Sequence, residues 1–328
     1  VWEKIYEQIF KSSEKINKIY TKQIELRDSI ARNAGFENFR DYAHVSKNRF
    51  DYTPEDCFEF HQAIEKKIMP VYNALLKQRK NDLQADTLKP YDLQVDSLGR
   101  KPLKPFNEEK ELTDKTISIL KSLNPEIGNV LLDMKNKGFL DLDSRKNKAP
   151  GGYNYPLSKS GLSFIFMNSA GLQRDVITLL HESGHAYQSF LTDSEKLFLY
   201  RQPCMEVAEL ASMSMELITM DHWDTFYPDK EEAKRAKMDH LEDIIGFFPW
   251  MAAVDSFQHW VYTNPKHSEQ DRLACWEKTL KRFGGEVDWK HYEHFRKTNW
   301  MRQGHIFTSP FYYVEYGIAQ LGALQIWK

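Results

Sequence analysis

Apolar residues recur at close to a 3.6-residue spacing through most of the chain. Trp2, Ile5, Ile9, Ile16, Ile19, Tyr20 and Ile30 fall on one helical face, and Gly35 ends the run. A second helix is predicted to start at Thr53-Pro54-Glu55-Asp56. Thr53 serves as N-cap, Pro54 fits the first helical position, and two acids lie in the positive first turn. Phe58, His61, Ile64, Ile68 and Leu75 then outline one face. Residues 81–106 are polar and carry Pro90, Gly99, Pro102 and Pro105, which predicts a loop or insertion. Two shorter helices are expected over 107–123 and 125–137. Between Gly138 and Gly171 the period changes. Lys148-Ala149-Pro150-Gly151-Gly152 is rich in turn residues, Tyr153-Asn154-Tyr155 alternates, and Leu162-Ser163-Phe164-Ile165-Phe166-Met167-Asn168 reads as a strand. Helical spacing then returns to the end, with breaks expected near Pro203, Pro228, Pro249, Pro265, Gly284-Gly285 and Pro310. The pattern predicts a mainly α chain with a small β-sheet near its middle, without internal repeats.

Composition narrows the partners. The 328 residues include 41% hydrophobic and 28% charged positions, which excludes a disordered or fibrous chain. With 45 Lys+Arg against 47 Asp+Glu the net charge is −2, so there is no basic footprint for nucleic acid or an anionic membrane. Mean hydropathy is −0.62, and no apolar run approaches the ~18 residues of a membrane span. Cys57, Cys204 and Cys275 are odd in number and form no C-x-x-C pair. A disulfide framework is therefore not expected, each cysteine should behave as a small buried hydrophobe, and a cytoplasmic compartment is predicted. The opening Val1-Trp2-Glu3-Lys4 lacks a signal-peptide pattern, and the chain stops inside an amphipathic repeat. It is expected to be a piece of a longer protein.

The chemistry concentrates in His181-Glu182-Ser183-Gly184-His185, an H-E-x-x-H pattern inside an apolar helical run. Residues at i and i+4 share a helix face, so both imidazoles can reach one ion about 2.0–2.1 Å away. Glu182 then stands beside the metal, placed to take a proton from water without being a ligand. Two histidines need a third partner. The apolar helix Cys204–Glu216 carries Glu206, Glu209 and Glu216 roughly along one face. Buried carboxylates in a row ask for a cation. Other groups are weaker candidates. His291 and His294 sit in a charged stretch, His61, His240 and His259 read as isolated structural histidines, and residues 229–243 read as a solvated helix face.

With Val207-Ala208-Glu209-x-Ala211-Ser212 following His181-Glu182-x-Gly184-His185, the sequence resembles the thimet oligopeptidase / oligoendopeptidase F family of zinc peptidases. Ala149-Pro150-Gly151-Gly152-Tyr153, the strand 164–168, and His305-Ile306-Phe307 running into Pro310-Phe311-Tyr312-Tyr313-Val314-Glu315-Tyr316 are similar to its bacterial branch. So are Asn33-Ala34-Gly35-Phe36 and Arg49-Phe50-Asp51-Tyr52-Thr53-Pro54. The resemblance implies a mainly α fold in which a zincin-type, thermolysin-like catalytic region and its small sheet are embedded in a helical oligopeptidase. It implies one zinc ion per chain held by His181, His185 and Glu209, with Glu182 as general base. It places His305, Tyr312, Tyr313 and Tyr316 near the substrate and the developing oxyanion. The implied activity is that of a metalloendopeptidase cleaving internal bonds of short peptides. A zinc carboxypeptidase of similar helical architecture, and a truncated member that binds peptide or metal without turnover, are the alternatives. The expected division is a helical region over 1–137, part of a channel wall, and a zinc catalytic region over 138–328. In zincins a sheet edge binds extended substrate, so strand 162–168 is expected to be that edge. Family members usually carry a second His three residues after His185, where this chain has Gln188.

Overall fold

The opening periodicity becomes one long helix, α1 (Trp2–Asn33), closed by Gly35 at φ +84°. The computed structural model describes residues 1–328. Helix α2 (Phe39–Ser46) follows, and α3 (Pro54–Ala63) begins at the predicted cap. The Thr53 hydroxyl accepts from the Asp56 N–H at 3.3 Å, and Asp56 accepts from the Thr53 N–H at 2.8 Å. A π-helical turn, Ile64–Ile68, leads into α4 (Met69–Asp82). Residues 81–106 hold little regular structure beyond Pro90–Gln94. Then come α5 (Glu109–Leu123) and α6 (Pro125–Asn136), β1 (Leu140–Asp143), β2 (Gly152–Leu157) and β3 (Leu162–Ser169). The remaining helices are α7 (Gln173–Thr192), α8 (Met205–Ile218), α9 (Lys230–Thr263), α10 (Glu269–Phe283), α11 (Glu293–Thr298), α12 (His305–Thr308) and α13 (Tyr313–Trp327). No helix is long and apolar enough to cross a membrane.

The chain divides into two compact units, Val1–Arg100 with Glu242–Gly317, and Lys101–Leu241 with Ile318–Lys328. This differs from the single boundary expected after residue 137. A linear reading groups sequence neighbours, whereas burial groups helices that are distant in sequence, and α5 and α6 pack with α7. In the first unit Trp276, Trp300 and Phe257 are fully buried; in the second, Trp223, Leu179 and Leu180 are.

The sheet order is β1-β3-β2, with β1 parallel and β2 antiparallel to β3. Strand β3 is thus central, which corrects the expectation that it forms the edge. Its continuous apolar run suits a strand paired on both sides. Ile165 and Met167 point into the core, while Phe166, on the other face, stacks on Tyr153 at 5.0 Å. Pro249 also departs from expectation, lying inside α9 rather than ending it. The proline loses one helical hydrogen bond, but Phe248, Met251 and Ala252 around it are buried and hold the helix together. The charged run 229–243 occupies the start of α9, with Arg235 and Asp239 paired at 3.4 Å, although Ala236 and His240 on its inner side are buried. Of the cysteines only Cys57 is buried; Cys204 is exposed and Cys275 half-buried.

Candidate metal centre

Helix α7 is fixed before it carries any chemistry. The Asp175 carboxylate accepts the N–H groups of Ala170 and Leu172, each at 2.8 Å, and so caps the first turn. Val176, Leu179 and Leu180 bury one face among β2, β3 and neighbouring helices. The Asn154 amide reaches the Glu182 carbonyl at 3.4 Å, tying β2 to the same turn.

Gly184 decides how closely α8 can approach. A Cβ built there would lie 2.6 Å from Ser212 Cα and 2.7 Å from the Ala211 carbonyl oxygen, both backbone atoms of α8. Only glycine permits that crossing, and the crossing delivers Glu209 to the histidines. Gly184→Ala is therefore expected to destabilise the fold by about 1–3 kcal/mol, the range for overpacking. It should also weaken metal retention. Thermal melts together with bound-metal content check this, and a variant with unchanged values for both would rule out close crossing as the reason for Gly184.

At the crossing, His181 Nε2 lies 3.3 Å and His185 Nε2 3.5 Å from the same oxygen, Glu209 Oε2. A tetrahedral ion with legs of about 2.0–2.1 Å separates its ligand atoms by about 3.3–3.4 Å. The three ligand atoms lie within 4.8 Å of one another. Glu209 is buried, while the two imidazoles keep side-chain exposures of 20% and 17%, so the cluster opens outward on the histidine side. Burial opposes the charge of His181, but hydrogen bonds to Glu209 and Glu216 hold its pKa well above the ordinary imidazole value. Burial likewise opposes the Glu209 anion, and hydrogen bonds from His181 and His185 hold its carboxyl far below the carboxylate range. A proton is thus held where the donor set suits a cation, and two imidazoles with one carboxylate fit zinc.

Glu216 has a different task from Glu209. Its Oε1 meets His181 Nδ1 at 2.6 Å, which turns Nε2 toward Glu209, and its Oε2 lies 3.3 Å from His240 Nε2. Sequence spacing put Glu216 among three acids but could not assign it this role, and it made His240 an isolated residue. Glu216→Gln is expected to lower metal affinity by about 10–100-fold, the usual cost of losing an outer partner of a ligating histidine. Chelator competition measures this. Glu206 is only half-buried and stands outside the three-residue cluster.

Glu182 is 5% exposed, and its Oε2 has no hydrogen-bond partner. Burial raises its carboxyl above the ordinary 4.5, against the opposing charges of His181 and His185. Because the folded state holds this proton more tightly than the unfolded state, the stability linked to it is present at low pH. It is lost as pH rises through the raised value. Metal-free Glu182→Gln should therefore melt above the metal-free parent at neutral pH, with the gap closing below about pH 4. A gap independent of pH in melts with chelator would exclude a desolvated carboxyl.

His305, Tyr312, Tyr313 and Tyr316 belong to the other unit. There they form one cluster, with the His305 ring 5.5, 5.4 and 5.8 Å from the three tyrosine rings in that order. Gln303 Nε2 is 2.6 Å from His305 Nδ1. Phe311, the residue before Tyr312, has φ +62°, an unusual conformation for a bulky residue, held from both sides. Its N–H donates to Gln258 at 3.0 Å and its carbonyl accepts from Arg49, which also binds buried Glu315 at 2.7 Å. His291 and His294 are exposed, as expected.

The profile of peptidase family M3 matches residues 1–328. The chain is 26% identical over 271 residues to an oligoendopeptidase F homolog of Borreliella burgdorferi, covering 79% of this chain and 44% of that protein. It is 21% identical over 328 residues to the group B oligopeptidase PepB of Streptococcus agalactiae, covering 94% and 51%. The solved structure of PZ peptidase A with an inhibitor superposes with a TM-score of 0.90 at 32% identity, covering 97% of this chain and 56% of that one. The chain spans about half the length or less of these relatives. Its mainly helical fold, small sheet and matched length agree: the chain belongs to peptidase family M3.

Proposed function

We propose that the chain carries the catalytic centre of a zinc-dependent oligopeptidase that cleaves internal bonds of short peptides. The observation that supports this most is the convergence of His181 and His185 on one oxygen of Glu209, with Glu182, whose Oε2 has no hydrogen-bond partner, one residue from the first histidine. His181, His185 and Glu209 would hold the ion, and Glu216 would orient His181. Zinc, when bound, supplies Lewis-acid polarisation of the scissile carbonyl and a lowered pKa for water. Glu182 takes the proton of the attacking water and returns it to the leaving amine. Its buried position with a raised pKa suits a group that must both accept and release a proton. His305, Tyr312, Tyr313 and Tyr316 are the proposed donors to the oxyanion, a role that phenol and imidazole protons can fill.

The first experiment is elemental analysis of the 328-residue chain beside His181→Ala. Zinc content is expected to fall by about one ion per chain in the variant. Internally quenched short peptides then report cleavage, and product masses locate the cut. Internal cleavage supports the proposal, release of terminal residues alone favours a carboxypeptidase, and full metal loading without turnover favours a non-catalytic binder. Among single Tyr→Phe variants, the oxyanion donor is the one whose kcat falls by about 10²–10³-fold with KM little changed.

A further inference from the structure

A second group of metal-ligating side chains lies wholly within the other unit, with no part in the chemistry above. It comprises His44 on α2, Cys57 on α3 and His259 on α9, at 5%, 2% and 3% exposure. Their ligand atoms lie within 4.8 Å of one another. Two consecutive helices and one distant in sequence thus bring two imidazoles and a thiol together.

Hydrogen bonding does not explain the cluster. Neither ring nitrogen of His44 has a partner, and neither nitrogen of His259 makes an aligned hydrogen bond. His259 Nε2 is 3.2 Å from Asp255 Oδ2 without hydrogen-bond alignment. Aromatic rings form much of the surroundings, with Phe58 4.8 Å and Phe311 5.3 Å from the His259 ring, and Tyr52 5.9 Å from His44. Both nitrogens of His44 and Nδ1 of His259 thus have no partner, whereas buried imidazole nitrogens are expected to be satisfied, so these three call for a ligand. The neighbouring His61 shows the contrast. Its Nε2 meets Asp255 Oδ2 at 2.9 Å and its Nδ1 meets Ser256 Oγ at 2.9 Å, so both nitrogens are occupied and it is excluded as a ligand.

We propose that His44, Cys57 and His259 form a second, structural transition-metal site, suited to zinc, that joins α2, α3 and α9. Imidazole and thiolate are donor types that zinc accepts, with Zn–N about 2.0–2.1 Å and Zn–S about 2.3 Å. A tetrahedron of that size has edges of about 3.3–3.7 Å. Even a separation at the 4.8 Å bound closes with about 1 Å of side-chain movement. Charge also balances. The buried Asp255 carboxylate lies beside His259, and binding expels the Cys57 thiol proton to solvent, so two negative charges face a divalent ion. The nearby Arg49 cation is itself paired with Glu315 at 2.7 Å.

The test uses the 328-residue chain carrying His181→Ala and His185→Ala, so that the first centre cannot supply the metal. It is stripped with chelator, checked for native far-UV circular dichroism, and titrated with Zn²⁺ and separately with Co²⁺. About one ion per chain is expected, with a rise in melting temperature and a sulfur-to-cobalt charge-transfer band in the near ultraviolet. Adding Cys57→Ser should abolish the band, and adding His259→Gln should reduce uptake toward zero. A folded double variant that takes up no metal, or binds cobalt without the sulfur band, overturns the site. So does a band that survives Cys57→Ser, which would place the metal on another cysteine. If Cys57→Ser does not fold, uptake and band in the double variant, compared with its His259→Gln derivative, still decide.

Discussion

Replacing Glu182 by Gln is expected to leave zinc content unchanged while peptide hydrolysis falls by about 10²–10⁴-fold, the contribution typical of a general acid–base. The amide keeps the size of the side chain and its place on α7, so the packing that holds His181 and His185 is undisturbed. Glu182 lies outside the cluster formed by His181, His185 and Glu209, so the ligand set stays whole. What the variant lacks is an atom able to accept a proton from water and release it to the amine. Turnover with single peptides, paired with metal analysis, separates the two functions. Loss of zinc in Glu182→Gln would make Glu182 a ligand, and near-normal turnover would assign the base elsewhere.

The second large effect is expected at Glu209. One of its oxygens faces both histidines, at 3.3 and 3.5 Å, and the residue is 3% exposed, so it supplies both the third donor and the only carboxylate of the cluster. An amide at that position is neutral and a poorer oxygen donor. Glu209→Gln should therefore weaken zinc binding by more than the roughly 10–100-fold expected for the outer partner Glu216. Glu206→Gln should leave affinity close to the parent. Chelator competition on the three variants gives the order directly. Equal losses at Glu206 and Glu209 would mean that α8 presents a different face to α7.

The two predictions differ in how they could be reached. The i, i+4 histidines and the intervening Glu182 were legible because a helix converts spacing into a shared face without help from the rest of the chain. The third member of the cluster was legible from spacing only as one of three acids, and the family resemblance singled out Glu209. Glu206, Glu209 and Glu216 share a stripe on α8, and the crossing point of α7, set by Gly184 against Ala211 and Ser212, separates ligand from orienting group. Pro249 misled because its local preference to end a helix is outweighed by packing around Phe248 and Met251. Strand β3 was found from its apolar run, but its place between β1 and β2 depends on partners that a single strand does not specify.

Interactions within about one turn of backbone were determined by the sequence itself: the Thr53 cap, the stop at Gly35, the helix of His181 and His185, the strand at 162–169. These depend on dihedral preference and on residues three or four apart. Tertiary structure alone decided which distant side chains meet. It brought Glu209 against both histidines and set Glu216 between His181 and His240. It also gathered His44, Cys57 and His259 from three helices, and fixed the backbone of Phe311 between Gln258 and Arg49. The physical reason is that such meetings follow from burying apolar faces of whole helices, a sum over many contacts that no local pattern contains.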